Sequence, residues 1–254
     1  MNIVLIHGMY MNDLSWEGWV ALLRAKGHTV STPVWPFHAG DPATLRANPD
    51  PALGKLQFKD ILAHVRTFLR EVPKPFVLVG HSMGGLVVQK LINEDMGVAG
   101  VCIDTAPPRG VVTFIPSFWK GNWPHVNPFA GNAPCHMTPE RFQYTFCTTM
   151  SMDETRRHLD HYVVPESRNV PRSTLTAQGA IDFQKPHPPL LFIAGEKDTI
   201  IPWQLNKSNA RAYTDKGSVT DFKIFPNRTH FICGQEGWQE VAEYVEKWVG
   251  EHVR

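Results

Sequence analysis

Short, unbroken apolar runs alternate along this chain with segments whose apolar positions recur every three to four residues. The runs fall at residues 3–6, 76–79, 98–103 and 190–194, with weaker ones at 29–35 and 222–225. Each is bounded by glycine, proline or polar residues, the pattern of strands buried on both faces. Between them, Trp16, Trp19, Val20 and Leu23 share one helical face over residues 15–26, with Ser15 expected as N-cap and Gly27 as terminator. Phe58, Ile61, Leu62, Val65, Phe68 and Leu69 make a second stripe over 56–70. Further helices are predicted over 82–93, 206–213 and 238–249, while residues 36–51, rich in Pro, Asp and Asn, read as a loop. Buried strands alternating with helices predict an α/β fold with a doubly wound, mainly parallel sheet and right-handed crossovers.

One interval breaks the alternation. About 80 residues separate the strand ending near Asp104 from the one starting near Leu190, far more than a crossover needs. Helices are predicted inside it over 139–149 and 152–163; Ser151, with Glu154 three residues on, supplies a capping box for the second. The chain therefore divides into a core, residues 1–107 and 188–254, and an inserted helical cap, residues 108–187. In folds of this type ligands bind at the carboxyl edge of the sheet, and the insertion is expected to cover that edge.

Charge and composition narrow the partners. Lys+Arg 25 against Asp+Glu 24 leaves a net charge of +1 with no run of one sign, which argues against nucleic acid and favours a small, uncharged substrate. No apolar stretch approaches the roughly 20 residues that span a bilayer. The apolar start is too short for a signal peptide, so no membrane partner and a cytoplasmic location are expected. Cys102, Cys135, Cys147 and Cys233 lack disulfide-framework or metal-finger spacing, and Cys102, inside an apolar run, reads as core. His158 and His161 flank Asp160 at a spacing zinc tolerates, but a solvated helix face explains them better. No metal and no cofactor are expected, and the oligomeric state is not legible.

The chemistry concentrates in Gly80-His81-Ser82-Met83-Gly84-Gly85, which follows a buried strand and opens a helix. In that context G-x-S-x-G is a nucleophile elbow: the serine hydroxyl is pushed above the sheet by a strained turn that small neighbours permit. A serine hydroxyl needs a base. His230, after the last strand and the turn Pro226-Asn227-Arg228-Thr229, lies at the same edge and is chosen over the other histidines. Asp198, in Gly195-Glu196-Lys197-Asp198 after the preceding strand, completes a Ser, Asp, His chain order and would orient the imidazole. Asp104 competes for that place, and Glu196 is a weaker rival. Backbone amides should meet the developing oxyanion: that of Met83, directly after the nucleophile, and that of Met9, in the loop His7-Gly8-Met9-Tyr10.

Taken together, His7-Gly8 after the first strand, the Gly80–Gly85 elbow, Gly195-Glu196-Lys197-Asp198 and His230 resemble the bacterial α/β-hydrolase fold family over nearly the whole chain. The resemblance implies that the first two strands of that fold are missing here, leaving six in the order 2-1-3-4-5-6. It also implies hydrolysis of an ester or related acyl bond without metal or organic cofactor, while lactonases, C–C hydrolases, hydroxynitrile-type lyases and non-catalytic small-molecule receptors share the fold. Phe114, Phe118, Trp119, Trp123, Phe142 and Phe146 are dense within the cap. With Tyr10 they are expected to line a pocket for a hydrophobic acyl or aryl group. The leading expectation is a serine hydrolase, esterase-like, that cleaves a small or medium hydrophobic carboxylic ester through an acyl-enzyme.

Overall fold

The computed structural model describes residues 1–253. The strands β1 (Asn2–Ile6), β2 (Thr29–Ser31), β3 (Phe76–His81), β4 (Ala99–Ile103), β5 (Leu190–Gly195) and β6 (Thr220–Phe225) form one sheet, ordered β2-β1-β3-β4-β5-β6. Every neighbouring pair is parallel, as predicted. The first helices are α1 (Glu17–Ala25), α2 (Pro42–Ala47), α3 (Phe58–Leu69) and α4 (Met83–Asn93). Between β4 and β5 come α5 (Pro116–Val126), α6 (Pro139–Thr145), α7 (Met152–Tyr162) and α8 (Asn169–Thr174); α9 (Trp203–Ala212) and α10 (Trp238–His252) complete the chain.

Alternate side chains of a strand face opposite ways, so each strand feeds two cores. Ile3, Leu5, Val77, Val79, Val101, Ile103, Leu191 and Ile193 pack with Trp16, Trp19, Leu23, Val241, Val245 and Trp248. Val4, Ile6, Leu78, Cys102 and Phe192 pack on the other side, with residues of α3, α4 and α9 and with Phe142, Phe146 and Leu159 of the insertion. Burial on both faces is why β3, β4 and β5 read as continuous apolar runs.

Several expectations needed correction. Ser15 is not the helix cap: Asn12 caps a 3-10 turn (Asp13–Trp16), accepting from the Leu14 N–H at 3.1 Å, and α1 continues from it. The second strand stops at Ser31, because Pro33 and Pro36 carry no N–H for a ladder and the Trp35 N–H goes to His7 Nε2 at 3.1 Å. The expected loop over 36–51 holds α2, capped by Asp41, and meets a 3-10 turn (Pro51–Lys55) capped by Asp50. What looked like loop composition is an Asp cap followed by an N1 proline, written twice. In the insertion, α6 ends at Thr145 rather than 149. Helices α5 and α8 were not predicted, since Gly121 and Pro124 interrupt one and Pro171 the other. No described helix is long and apolar enough to cross a membrane.

Candidate active site

The elbow turns where β3 becomes α4. Ser82 sits there at φ 55° and ψ −120°, a conformation that a non-glycine residue holds only under constraint. Three hydrogen bonds supply it: the Ser82 N–H donates to the Ile103 carbonyl at 2.9 Å, and the Ser82 carbonyl accepts from Gly85 at 3.0 Å and Ala106 at 2.9 Å. The glycines around it are steric necessities. A Cβ on Gly80 would lie 2.2 Å from the Gly84 carbonyl oxygen, and one on Gly84 2.2 Å from that of Ile6. Gly8 brings the loop after β1 so near that its Cβ would stand 2.8 Å from Ser82 Cβ.

The structure brings the three expected residues together. His230 Nε2 lies 3.0 Å from Ser82 Oγ, and His230 Nδ1 lies 2.6 Å from Asp198 Oδ2. Asp198 Oδ1 accepts the N–H groups of Ile200 and Ile201, both at 2.8 Å. The imidazole is further fixed by Phe146, edge-on at 4.8 Å between ring centroids, and its own carbonyl accepts from His81 Nε2 at 2.8 Å. Burial lowers the His230 pKa to about 3, so the ring is neutral and Nε2 is free to take the serine proton.

Asp104, the rival carboxylate, stands directly behind this pair. It is fully buried, and one of its oxygens lies within 4.8 Å of a His230 ring nitrogen. Its Oδ1 accepts the Gly195 N–H at 2.7 Å, whereas Oδ2 meets no donor. Burial and then the neighbouring Asp198 raise the Asp104 pKa well above the usual carboxyl range; burial raises Asp198 as well, against the Ile201 and Ile200 amides. Two adjacent buried carboxyls do not both ionise. Asp198 has three donors and Asp104 one, so the charge belongs on Asp198 and the proton on Asp104.

Ser82 opens into a small chamber of about 40 Å³, lined by Met9, Tyr10, Met83, Ala106, Asn122, His125, Phe146, Pro171, Ile200 and Ile201. Met83, Ala106, Asn122, Pro171 and Ile201 also border a second chamber of about 270 Å³, so the two adjoin. Pro107, Pro108, Val111, Val112, Phe118, Trp119, Val126 and Leu175 make its wall mostly apolar. Of the aromatic residues expected to line a pocket, Tyr10, Phe118, Trp119 and Phe146 do so. Phe114, Trp123 and Phe142 line neither chamber. Phe114 is 92% exposed and Trp123 52%, pointing outward from the lip of the insertion, while Phe142 is wholly buried and props Phe146 at 5.0 Å.

Tyr10 and His125 form a polar corner of the smaller chamber that the sequence did not reveal. Arg141 only donates, so His125 Nε2, 3.0 Å from its Nη2, accepts, and His125 Nδ1 carries the hydrogen donated to the Tyr10 hydroxyl at 3.0 Å. Burial, then Arg141 and Arg168, lower His125 to about 3, which keeps that tautomer neutral. No spacing signal could have found His125, because its helix was itself illegible. Ile200 and Ile201, close after Asp198, also line the smaller chamber, and their apolar pairing beside a catalytic-loop carboxylate is the one local signal of it in the sequence.

The model of the alpha/beta hydrolase family matches residues 3–244. A pimeloyl-[acyl-carrier protein] methyl ester esterase of Vibrio atlanticus is 25% identical, over 97% of this chain and 95% of that protein. Among solved structures, an extracellular α/β-hydrolase from a Paenibacillus species superimposes with a TM-score of 0.72 at 21% identity, covering 97% of this chain and 98% of the other. A Paleococcus ferrophilus monoacylglycerol lipase does so with a TM-score of 0.71 at 17% identity, covering 99% and 94%.

Proposed function

The chain belongs to the alpha/beta hydrolase family, and from that premise we propose that it hydrolyses carboxylic esters of small or medium hydrophobic acids through an acyl-enzyme. The observation that carries this reading is the unbroken hydrogen-bond line from Asp198 through His230 to Ser82 Oγ, which opens into the small chamber that adjoins the larger apolar one. In the proposed mechanism Ser82 Oγ attacks the ester carbonyl while His230 Nε2 takes its proton. The ionised Asp198 stabilises the imidazolium that results. The amides of Met83 and Met9 form the oxyanion hole, each such donor being worth about 2.7–4 kcal/mol of barrier. His230 then protonates the departing alkoxide, and water releases the acid along the reverse proton path. The acyl tail occupies the larger chamber under the cap, residues 108–187. The smaller chamber beside Ser82 leaves room for little beyond the reacting group, which favours a compact alcohol such as methanol, the leaving group in the name of the Vibrio relative.

The test is hydrolysis of p-nitrophenyl and methyl ester series of increasing acyl length, with Ser82→Ala alongside. Turnover is expected to peak at a short to medium chain and to vanish in Ser82→Ala; a fully active variant would overturn the assignment. One observation favours a second reading. Tyr10, its hydroxyl oriented by His125, places a proton donor additional to the triad beside Ser82, as a lyase would use. Turnover in ¹⁸O-labelled water separates the two, since only hydrolysis puts solvent oxygen into the acid.

A further inference from the structure

Tyr10 follows the Met9 amide directly, and its backbone is held at φ +63°, in the left-handed region. Both of its backbone polar groups are taken by one stretch of the insertion. The Tyr10 carbonyl accepts from the Val164 N–H at 2.9 Å, and the Tyr10 N–H donates to Glu166 Oε2 at 3.2 Å. The same oxygen lies 3.2 Å from His38 Nε2, while Oε1 accepts the Ser167 N–H at 2.6 Å. Glu166 itself is pinned by two backbone hydrogen bonds to Cys135, at 2.8 and 2.9 Å.

His38 Nδ1 lies 2.8 Å from the Pro36 carbonyl oxygen. A carbonyl and a carboxylate are both acceptors, so both ring nitrogens carry hydrogen and the ring is an imidazolium. The side chains of His38 and Glu166 are each 0% exposed, which makes this a fully desolvated ion pair. Such pairs return little net stability relative to apolar residues of the same volume. Neither residue lines a chamber beside Ser82. What the pair does hold is the strained residue next to the Met9 amide.

Resting on the assignment of that amide as an oxyanion donor, we propose that the buried His38–Glu166 ion pair positions the oxyanion loop. Glu166 arrives from the insertion and His38 from the segment after β2, so the donor geometry is set by how those two segments close on the loop after β1. Both are positioning residues. Losing them misplaces a donor that acts in the transition state and leaves the larger apolar chamber, to which this loop contributes nothing, untouched.

Hydrogen–deuterium exchange over residues 7–12 tests the anchor, and kinetics test its consequence. In Glu166→Gln the Tyr10 amide is expected to exchange about tenfold faster, with residues 80–85 unaltered. On a p-nitrophenyl ester kcat is expected to fall roughly 10–100-fold with KM within about threefold. Unchanged exchange at Tyr10 would overturn the anchor; faster exchange with unchanged kcat would overturn its catalytic role. His38→Gln keeps a donor towards Glu166 and His38→Leu does not, so kcat should recover in the first relative to the second. Equal loss in both would reduce His38 to packing and overturn the proposal. That pair carries the same comparison if Glu166→Gln does not fold. Absence of Ser82-dependent turnover in the wild type would defeat the proposed function, and the exchange measurement would still decide the anchor.

Discussion

Two carboxylates compete for one histidine in this site, and the geometry separates their roles. Asp198 receives two amides and the imidazole, whereas Asp104 receives one amide and keeps the other oxygen without a donor. Asp198→Asn removes the charge that selects the tautomer, and kcat should fall by about 10⁴. Asp104→Asn keeps an acceptor for Gly195 and stays uncharged, as the protonated Asp104 is, so kcat at neutral pH should stay within about threefold of wild type. A loss of about 10³ or more in Asp104→Asn, measured on the same ester, would show that Asp104 carries the charge instead. The chain order Ser, Asp, His was enough to prefer Asp198 from sequence. That Asp104 could reach the same histidine was legible too, since it ends the preceding strand at the same sheet edge; which of the two keeps the charge was not, because that depends on donors that only the fold supplies.

At the scale of elements, the insertion is where sequence and structure part. The helix α7 was legible because Ser151 and Glu154 make a local capping box, which needs no tertiary partner. The helix α5 was not, since Gly121 and Pro124 lower its intrinsic preference and only packing over the sheet edge compensates. Yet α5 contributes Phe118, Trp119, Asn122 and Val126 to the larger chamber and His125 to the smaller. If α5 is the chamber's outer wall, Phe118→Ala lengthens the space for an acyl tail. The optimum of a p-nitrophenyl ester series should then move to longer chains, with kcat/KM for the longest rising several-fold, on the order of 1 kcal/mol per added methylene accommodated. An unshifted optimum would place the acyl tail elsewhere.

For the whole molecule, burial of histidines shapes the response to pH. His7, His81, His125 and His230 are all held below the ordinary value of 6.5, in each case by burial first. A ring whose folded pKa is lowered contributes stability that is present above 6.5 and is lost as pH falls, because the unfolded chain binds protons that the folded rings refuse. Each such ring adds about 1.4 kcal/mol per pH unit to that loss. His38 has the opposite sign. Burial alone would lower it, but the charge and hydrogen bond of Glu166, with the Pro36 carbonyl, outweigh burial and raise it; His7, at 5.7 Å between centroids, stays neutral beside it. Its contribution is complete below 6.5 and is lost as pH rises through the raised value. Urea unfolding across pH 5 to 9 should therefore give maximal stability near neutrality and a steep acid fall. In His38→Gln the alkaline decline due to this ring should disappear; an unchanged alkaline limb would mean that His38 is neutral in the fold.

What the sequence by itself determined is everything that depends on near neighbours. The parallel sheet and its main helices follow from apolar periodicity. The elbow at Ser82 follows from one strand, one turn and one helix in immediate succession, and the caps at Asp41, Asp50 and Ser151 are likewise local. Tertiary structure alone decided what depends on segments far apart in the chain meeting without water. It chose which aromatic residues face a chamber, turning Phe114 and Trp123 outward and Phe142 into the core, because lining depends on how the insertion closes and not on residue type. It also set Asp104 behind Asp198 and Glu166 against His38 and Tyr10. Those contacts join residues 94 to 156 positions apart, and burial gives them their strength, since the same charges in water would barely interact.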